Sequence, residues 1–378
     1  MSDVIPDGWA TIPLENTLDI MIAGQSPNRK EFSARVGEYG ILKTTAIDWG
    51  HYKPTFNKEV LDDFIVNTKH EVKIDDILIT KAGPLHRVGV VAHVKSTPAK
   101  RLVSGKMTLM RTKPIFSAKF ISYALSSEYA QKPLKEGITG MASSQTNFTH
   151  TALKSIPILV PNNIREQQKI ADILSAVDNV IDKTKINTDK ITDLKASMMQ
   201  ELLRTGINED GLKHTNFQDS GFGKIPLNWD IQEMESLTTA PICYGIVQVG
   251  SYVNDGIPVM AIKNLGKGFK TNINKTSPEI ESKYERSRIQ SGDLLISVKG
   301  TVGRVDVVPD FFKGNISRDI VRFRTSDRVD SMFLKHFFQS SIGVRLVKET
   351  SVGSTRAELS VHRLKKLKIP LPPMDEQL

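Results

Sequence analysis

The chain has 378 residues, of which 51 are Lys or Arg and 42 are Asp or Glu, so its formal net charge is +9 and its pI is about 9.3. This excess of positive charge favours a polyanionic partner such as nucleic acid. Cys243 is the single cysteine, which excludes an intrachain disulfide and a cysteine-based zinc site. No run approaches the roughly 18 apolar residues of a membrane-spanning helix, and the first residues lack the basic and then apolar pattern of a signal peptide. We therefore expect a cytoplasmic protein of two or three domains with no membrane segment.

Residues 1–160 alternate between short strand patterns and helix patterns. The segment opens with Ile5-Pro-Asp-Gly-Trp9, a turn followed by an aromatic anchor. A stretch of small and polar residues, Gly137–His150, is expected to be flexible. This mixture predicts an α/β (mixed α+β) domain. The predicted strands are Tyr39–Ile47, Asp75–Thr80 and Val88–Ala92, and the predicted helix is Ser117–Ser126.

Asn163–Arg204 is predicted to be one long helix, because neither Gly nor Pro interrupts it and its apolar residues recur at spacings of four and three. Asn163 suits the N-cap, Glu166 stands at the capping-box spacing, and Gly206 suits the C-cap. At 1.5 Å per residue this helix is roughly 60 Å long. The apolar positions are Ile170, Leu174, Val177, Ile181, Ile191, Met198 and Leu202, with Thr184, Thr188 and Lys195 completing the pattern and Leu194 beside Lys195.

A long helix with one apolar face needs another helix against that face. We therefore interpret residues 161–205 as a coiled-coil-type spacer whose apolar positions bind a partner. The alternative is a long core helix inside one globule. Residues 206–224 follow with several glycines and no periodicity, which predicts a linker.

Residues 225–371 repeat the first unit. Ile225-Pro-Leu-Asn-Trp229 restates Ile5–Trp9, and Asp293-Leu-Leu-Ile-Ser297 restates Asp76-Ile-Leu-Ile-Thr80. Pro372-Pro-Met-Asp-Glu-Gln377 restates the helix opening Pro161-Asn-Asn-Ile-Arg-Glu-Gln167, so residues 372–378 are the start of a second helix. Further matches, at one constant separation, are Gly300 with Gly83, Arg304 with Arg87, and Val305, Val307 and Val308 with Val88, Val90 and Val91.

These motifs, present twice in one order over the whole chain, closely resemble the DNA-specificity subunit of type I restriction-modification systems. The resemblance implies two target-recognition domains, each of which binds one half of a bipartite duplex DNA sequence. It also implies conserved helices that pair antiparallel and bind the methyltransferase subunits. In that family S-adenosylmethionine belongs to the methyltransferase partner, a separate restriction and translocase subunit cuts DNA, and the specificity subunit is not catalytic. We therefore expect no cofactor on this chain.

One feature departs from the family pattern, because only residues 372–378 of the second helix are present. Either the chain is truncated or another chain supplies the missing helix. Self-association of two copies through Asn163–Arg204 is the hypothesis that follows.

Catalytic motifs are absent from the sequence. Leu371-Pro-Pro-Met374 lacks both the polar and the aromatic residue of an adenine methyltransferase motif, and Gly266-Lys-Gly268 lacks the third glycine of a dinucleotide fingerprint. No pair of histidines has the i,i+4 spacing of a zinc site. The leading interpretation is a sequence-specific DNA-binding subunit. A coiled-coil assembly protein without specific DNA binding is the alternative, and a free-standing nuclease or methyltransferase is a third.

The candidate DNA-binding residues form three clusters in each unit. Arg and Lys suit phosphates and guanine, Asn and Gln suit adenine, and Thr suits the thymine methyl group. Each of these charges alone could equally be a solvated surface charge. Arg318, Arg322 and Arg324 alternate along a strand-like run, which predicts a basic face or a solvent-facing strand. The candidates are Lys43, Thr44, Lys81, Arg87, Gln145 and Asn147 in the first unit, and Lys263, Asn264, Lys299, Thr301, Arg304, Ser354, Thr355 and Arg356 in the second.

If the long helix determines the gap between two half-sites, inserting one helical turn near Thr188 adds roughly 6 Å to it. We expect the nonspecific spacer of the DNA target to change while both half-sites stay the same. Methylation mapping of a host that carries the insertion checks this, and an unchanged spacer contradicts it.

Overall fold

The computed structural model describes residues 5–61, 63–142, 145–208, 210–270, 272–352 and 358–378. The chain divides into two compact units, residues 1–184 (unit 1) and residues 185–378 (unit 2). Both mix short strands with helices, as the sequence predicts.

Unit 1 is built from short strands, three short helices and the first part of a long helix. Its 3-10 helices are Leu14–Thr17, Thr44–Ala46, Thr68–His70 and Leu85–Arg87. Its α-helices are α1 (Ala118–Ser126), α2 (Glu128–Glu136), α3 (His150–Lys154) and the start of α4 (Ile164–Thr205). Its strands are β1 (Trp9–Pro13), β2 (Leu18–Ala23), β3 (Gly40–Leu42), β4 (Ile47–Asp48), β5 (His51–Tyr52), β6 (Asn57–Glu59), β7 (Ile77–Thr80), β8 (Ala82–Gly83), β9 (Val91–His93), β10 (Arg101–Leu102), β11 (Met107–Thr112), β12 (Thr139–Ala142), β13 (Gln145–Asn147) and β14 (Pro157–Pro161).

Unit 2 contains the last part of α4 and a similar series of elements. Its 3-10 helices are Met234–Leu237, Ile262–Asn264 and Ser282–Ser287. Its further α-helices are α5 (Pro278–Glu281), α6 (Ser331–Gln339), α7 (Ser341–Thr350), α8 (Val361–Lys365) and α9 (Met374–Gln377). Its strands are β15 (Phe217–Ser220), β16 (Gly223–Pro226), β17 (Asp230–Glu233), β18 (Cys243–Tyr244), β19 (Ile257–Met260), β20 (Asn274–Thr276), β21 (Leu294–Ser297), β22 (Val305–Val307), β23 (Asn315–Ile316), β24 (Ile320–Phe323) and β25 (Lys368–Leu371).

The two units share one topology. The sheet β2-β11-β7-β9 corresponds to β18-β24-β21-β22, the sheet β10-β3-β6 to β23-β19-β20, and the pair β1-β14 to β17-β25. Among the named strands of the described residues, pairing is antiparallel except for β10 with β3 in unit 1 and β19 with β23 in unit 2. The helix pair α1 and α2 has its counterpart in α6 and α7. The internal repeat in the sequence is therefore a repeat of structure.

The central strand of each unit is buried on both faces, which explains its continuous apolar sequence. In β7, Ile77 and Ile79 face a core that includes helix α1, whereas Leu78 faces a second core on the other side. In β21, Leu294 and Leu295 divide between two cores in the same way. The alternation follows the two-residue period of a strand.

Helix α4 begins and ends where the sequence predicts. The side chain of Asn163 accepts a hydrogen bond from the Arg165 backbone N–H at 2.9 Å and caps the first turn. Gly206 follows the last turn with φ +61°, and a Cβ there would lie 2.7 Å from Glu376 Oε2. Glycine is favoured at this position for two reasons: the backbone has a positive φ, and neighbouring side chains leave no room for a Cβ.

The first turn of α4 is fixed by the aromatic anchor of the unit, and unit 2 repeats the contact. Trp9 Nε1 donates to Glu166 Oε1 at 3.1 Å, and Trp229 Nε1 donates to Glu376 Oε2 at 2.9 Å. Glu166 thus has a partner that the capping-box prediction does not include. We call each of these contacts an indole–carboxylate pair.

The glutamine that follows each of these glutamates holds the start of the same helix through further hydrogen bonds to backbone groups. Gln167 Oε1 accepts from the backbone N–H of Ser117, the N-cap of α1, and its Nε2 donates to Pro161 O. Gln377 likewise accepts from the backbone N–H of Asp330, the N-cap of α6, and donates to Pro372 O. The Glu-Gln motif therefore joins a helix start to the first helix of its unit.

A buried ion pair is the second repeated contact. Asp76 accepts two hydrogen bonds from Arg111, and Asp293 accepts two from Arg324. Both aspartates are 1% exposed. The aspartate of the repeated Asp-Ile/Leu-Leu-Ile motif is therefore structural.

Two segments contain more regular structure than their composition predicts. Gly137–His150 is not a flexible segment in its described part, because β12 pairs with β13. The predicted linker, residues 206–224, includes β15 and most of β16, which pair from Phe217 with Pro226 to Ser220 with Gly223. Small polar residues and glycines form paired strands here, where composition alone indicates a loop.

The indole–carboxylate pair is expected to stabilise unit 2 more than unit 1. Glu376 also accepts from His214 Nε2 at 2.9 Å and from Asn228 Nδ2 at 2.7 Å, and its side chain is 5% exposed. Glu376→Ala leaves three donors without their acceptor, and we expect it to lower the free energy of unfolding by about 2–4 kcal/mol. Glu166→Ala, the matched control, removes a more exposed bond and should cost about 1 kcal/mol. Urea denaturation followed by tryptophan fluorescence measures both, and equal losses contradict the assignment.

Candidate nucleic-acid interface

The three predicted clusters of unit 1 are Lys43 with Thr44, Lys81 with Arg87, and Gln145 with Asn147, and the last two are neighbours in one small sheet. Strand β13 pairs with β8, so that Asn147 lies opposite Ala82 and Thr146 opposite Gly83. Thr146 Oγ1 donates to Gly83 O at 3.1 Å and fixes this register. The strand of Gln145 and Asn147 therefore lies beside the segment that begins with Lys81.

Lys106 joins this sheet to the remaining cluster. Its carbonyl accepts from the backbone N–H groups of Lys81 at 2.7 Å and Ala82 at 3.2 Å. Its side chain shares a cleft with Lys43 and Thr44. The structure thus brings the three predicted clusters of unit 1 onto one surface.

The cleft is strongly basic. It has a volume of about 580 Å³ and is lined by the cations Arg29, Lys43, Lys58 and Lys106 together with the polar side chains of Ser26, Asn28, Thr44 and Ser104. Lys58 donates to the exposed Glu31 carboxylate at 2.6 Å. This bond, with the nearby charges of Lys58, Arg29 and Lys43, holds the pKa of Glu31 below its ordinary value. The local potential is therefore positive.

Arg29, Lys58 and Lys106 are the members of this cleft that sequence reasoning missed. Arg29 lies on a β-bridge to Val60, Lys58 lies in β6 and Lys106 lies in a turn. No local sequence pattern distinguishes these three cations from other surface charges. Arg29 and Lys58 are far from Lys106 in the chain, and the fold alone assembles them. Lys106 carries the one available signal, since it directly follows Gly105 in the turn before β11.

Arg87 has a different place from the one predicted. Its guanidinium donates to the carbonyls of Thr44 and Ile47 and pairs with Asp48 at 3.3 Å, and its side chain is one-fifth exposed. These bonds hold the segment that carries Lys43 and Thr44. Arg87 therefore positions the cleft, and we omit it from the proposed DNA contacts.

Asn147 and Gln145 lie on the hairpin beside the cleft. Asn147 is exposed, and its Oδ1 accepts from Thr139 Oγ1 at 3.1 Å. Its amide nitrogen is a donor of two hydrogen bonds, which suits recognition of a base edge. The backbone of Gln145 pairs with that of Ala142.

In unit 2 the predicted cluster of Lys263 and Asn264 lies near the predicted cluster of Lys299, Thr301 and Arg304. Gly300 is adjacent to Ile262, which precedes the exposed Lys263. Lys299 forms an ion pair with Glu358 at 3.1 Å, and Thr301 and Arg304 are exposed in the same loop. Ser354, Thr355 and Arg356 lie outside the described residues.

The structure contradicts the prediction that Asn264 contacts DNA, because this residue is only 3% exposed. Its Oδ1 accepts from the Ala261 N–H and its Nδ2 donates to Asn272 O, both at 3.1 Å. The side chain therefore shapes its own loop and cannot reach a base edge.

The structure also contradicts the prediction that Arg318, Arg322 and Arg324 form one exposed basic face. Arg324 is bound to the buried Asp293, and Arg322 is itself buried. Only Arg318 of the three is an exposed cation, and it pairs with Asp319.

The apolar positions of α4 are open to solvent along most of the helix. Val177, Ile181, Ile191 and Met198 are 45–67% exposed, and Leu174 is 39% exposed. Ile170 packs against the core of unit 1, and Leu202 is half-buried. Ile173, Val180 and Ile186 enlarge this apolar surface beyond the predicted positions.

Within the described ranges, no helix is both long enough and apolar enough to cross a membrane. Among the same residues, no three or more His, Cys, Asp or Glu side chains gather as metal ligands would.

Comparison with known proteins connects this architecture to one family. The family model "Type I restriction modification DNA specificity domain" matches residues 6–193 and 248–378. The putative type I restriction enzyme MjaX specificity subunit of Methanocaldococcus jannaschii is 26% identical over 381 residues, covering 99% of this chain and 85% of that protein. The type I restriction enzyme EcoBI specificity subunit of Escherichia coli is 26% identical over 226 residues, covering 57% of this chain and 48% of that protein.

Solved structures share the fold. A chain from a study of complex assembly and conformational transition in the type I R-M system matches with a TM-score of 0.61 at 18% identity, covering 100% of this chain and 89% of that one. The S subunit of a type I restriction-modification system from M. genitalium matches with a TM-score of 0.54 at 16% identity, covering 100% and 88%. Since the family model matches both units separately, the chain belongs to the type I restriction-modification DNA specificity family.

Proposed function

We propose that this protein is the sequence-recognising subunit of a type I restriction-modification complex and binds a bipartite duplex DNA target. Unit 1 binds one half-site and unit 2 the other. The repeated topology supports this assignment, because two similar folds on one chain suit two separate recognition sites. The basic cleft of unit 1 is the observation that carries it.

In unit 1 the cleft cations bind the phosphate backbone and the hairpin supplies base contacts. Arg29, Lys43 and Lys106 provide positive charge on one surface, and Lys58 adds a fourth when it exchanges the exposed Glu31 carboxylate for a phosphate. Lys81 lies at the join between cleft and hairpin. Gln145 and Asn147 carry amide groups, which can pair with the one acceptor (N7) and the one donor (N6) that adenine presents in the major groove.

In unit 2 the contact residues are Lys263, Lys299, Thr301 and Arg304, with Ser354, Thr355 and Arg356 proposed from the sequence alone. Lys299 exchanges its exposed pairing with Glu358 for a phosphate. Exposed ion pairs contribute at most about 1 kcal/mol, so this exchange costs little.

The exposed apolar face of α4 is the proposed binding surface for partner subunits. Val177, Ile181, Ile191 and Met198 bind helices of the methyltransferase subunits or of a second copy of this chain. Adenine methylation with S-adenosylmethionine, and cleavage by a restriction and translocase subunit, are then activities of the partners in the cytoplasm. A coiled-coil assembly protein would use the same helix face, but the basic cleft would have no role in it.

The double substitution Lys43→Ala with Lys106→Ala is expected to weaken duplex binding and reduce its salt dependence. Each lost phosphate contact lowers the slope of log K against log salt by about 0.9, so two contacts lower it by about 1.8. Fluorescence anisotropy with a random-sequence duplex at several salt concentrations measures the slope, and no knowledge of the target sequence is needed.

The matched control is Lys132→Ala with Lys135→Ala, which removes the same charge from exposed positions on α2. We expect its slope to stay near that of the unsubstituted chain. An equal loss in both double variants would mean that net charge alone attracts DNA, and it would remove the cleft from the account.

A further inference from the structure

Unit 2 contains a buried guanidinium where unit 1 has a leucine. Arg322 lies opposite Cys243 in the pairing of β24 with β18, and Leu109 lies opposite Ile22 in the equivalent pairing of β11 with β2. Leu109 is fully buried and Arg322 is 4% exposed. The repeat has therefore replaced an apolar cross-strand pair by a polar one inside the fold.

Arg322 lacks a negative partner among the described residues. Its Nη2 donates to Pro241 O at 2.9 Å, its Nη1 is 3.4 Å from Arg288 O, and its Nε has no partner. A buried charge without a counter-charge is costly. This arrangement indicates that an anion from outside the described chain completes the site.

Arg322 lines a cleft of about 350 Å³ with three further arginines, Arg286, Arg288 and Arg324. Arg288 is paired with Glu281 at 2.7 Å and Glu285 at 3.2 Å, and Arg324 is paired with Asp293 at 2.8 Å. Four guanidinium groups therefore meet three carboxylates. The surplus is one positive charge, shared between Arg286 at the surface and Arg322 at the base.

We propose that this arginine cleft binds a single phosphate group, either a phosphodiester or inorganic phosphate. Guanidinium groups present planar, paired donors that match the oxygens of a phosphate. One monoanion neutralises the surplus charge and places a counter-charge beside Arg322. Gln290, also in the lining, offers a neutral donor.

The cleft is separate from the proposed DNA-binding loop of unit 2. Asp293, which holds Arg324, directly precedes β21, whereas Lys299 and Arg304 follow its other end. Unit 1 does not repeat two of the four arginines, because Leu109 stands at the place of Arg322 and Glu71 stands at the place of Arg288. This equivalence follows from the next residue, since Val72 N–H donates to Arg101 O as Ile289 N–H donates to Gly314 O.

Isothermal titration of the full chain with inorganic phosphate, in chloride buffer without DNA, tests the site. We expect one saturable site per chain, and we expect Arg322→Leu and Arg286→Ala each to weaken it about tenfold or more, as loss of a charge-assisted hydrogen bond implies. Arg322→Leu installs the side chain that unit 1 carries, so the fold should persist, and circular dichroism confirms this. Arg286 is exposed, so its removal leaves the core intact.

Arg345→Ala is the matched control, because it removes one exposed guanidinium of unit 2, on α7, outside the cleft. Phosphate should bind this variant as it binds the unsubstituted chain. Absence of saturable binding, or equal binding by all variants, overturns the proposal.

A second titration identifies the source of the phosphate. If DNA supplies it, duplex displaces inorganic phosphate and Arg286→Ala lowers the salt slope of duplex binding by about 0.9. If free phosphate is the ligand, duplex and phosphate bind independently. A chain with Lys43→Ala and Lys106→Ala should still bind phosphate, so failure of the DNA-binding proposal and failure of this one are distinguishable.

Discussion

The contact between a tryptophan indole and a glutamate in the first turn of a helix determines how each unit is closed. Trp9 begins β1 and Trp229 directly precedes β17, and each of these strands pairs with the last strand of its unit, β14 or β25. The contact joins that tryptophan to the helix that follows the last strand. The adjacent glutamine then connects that helix start to α1 or α6. Two motifs at opposite ends of a unit thus meet, and the repeat of both motifs is why the two units have one topology.

Most of this architecture could be predicted from the sequence, because its signals are local. The long helix follows from its periodicity and caps, and β7 and β21 follow from continuous apolar runs after a buried aspartate. The β12–β13 and β15–β16 hairpins could not be predicted in this way. Their strands are rich in Gly, Ser, Thr and Asn, so tertiary pairing overrides the intrinsic preference of these residues for loops.

The candidate site was less predictable, since its residues are distant in the chain. The residue types of Lys43, Lys81 and Asn147, in their local sequence context, identify them as candidates for DNA contact. Arg29, Lys58 and Lys106 come close to Lys43 only because the fold brings distant segments together around the cleft. Residue chemistry alone also assigned Asn264 and Arg87 to DNA contact, whereas their side chains bind backbone groups of neighbouring segments of the protein. A polar side chain in the right segment can either contact a ligand or hold the segment, and burial decides between these roles.

The central claim is that each unit recognises one half of a divided DNA sequence, and selection of bound duplexes from a random library tests it most directly. We expect the selected duplexes to share two conserved blocks separated by unspecified bases. With Asn147→Ala in unit 1, one position of one block should relax by about 1–3 kcal/mol while the other block is unchanged. A single uninterrupted block, or a substitution in unit 1 that alters both blocks, would contradict it.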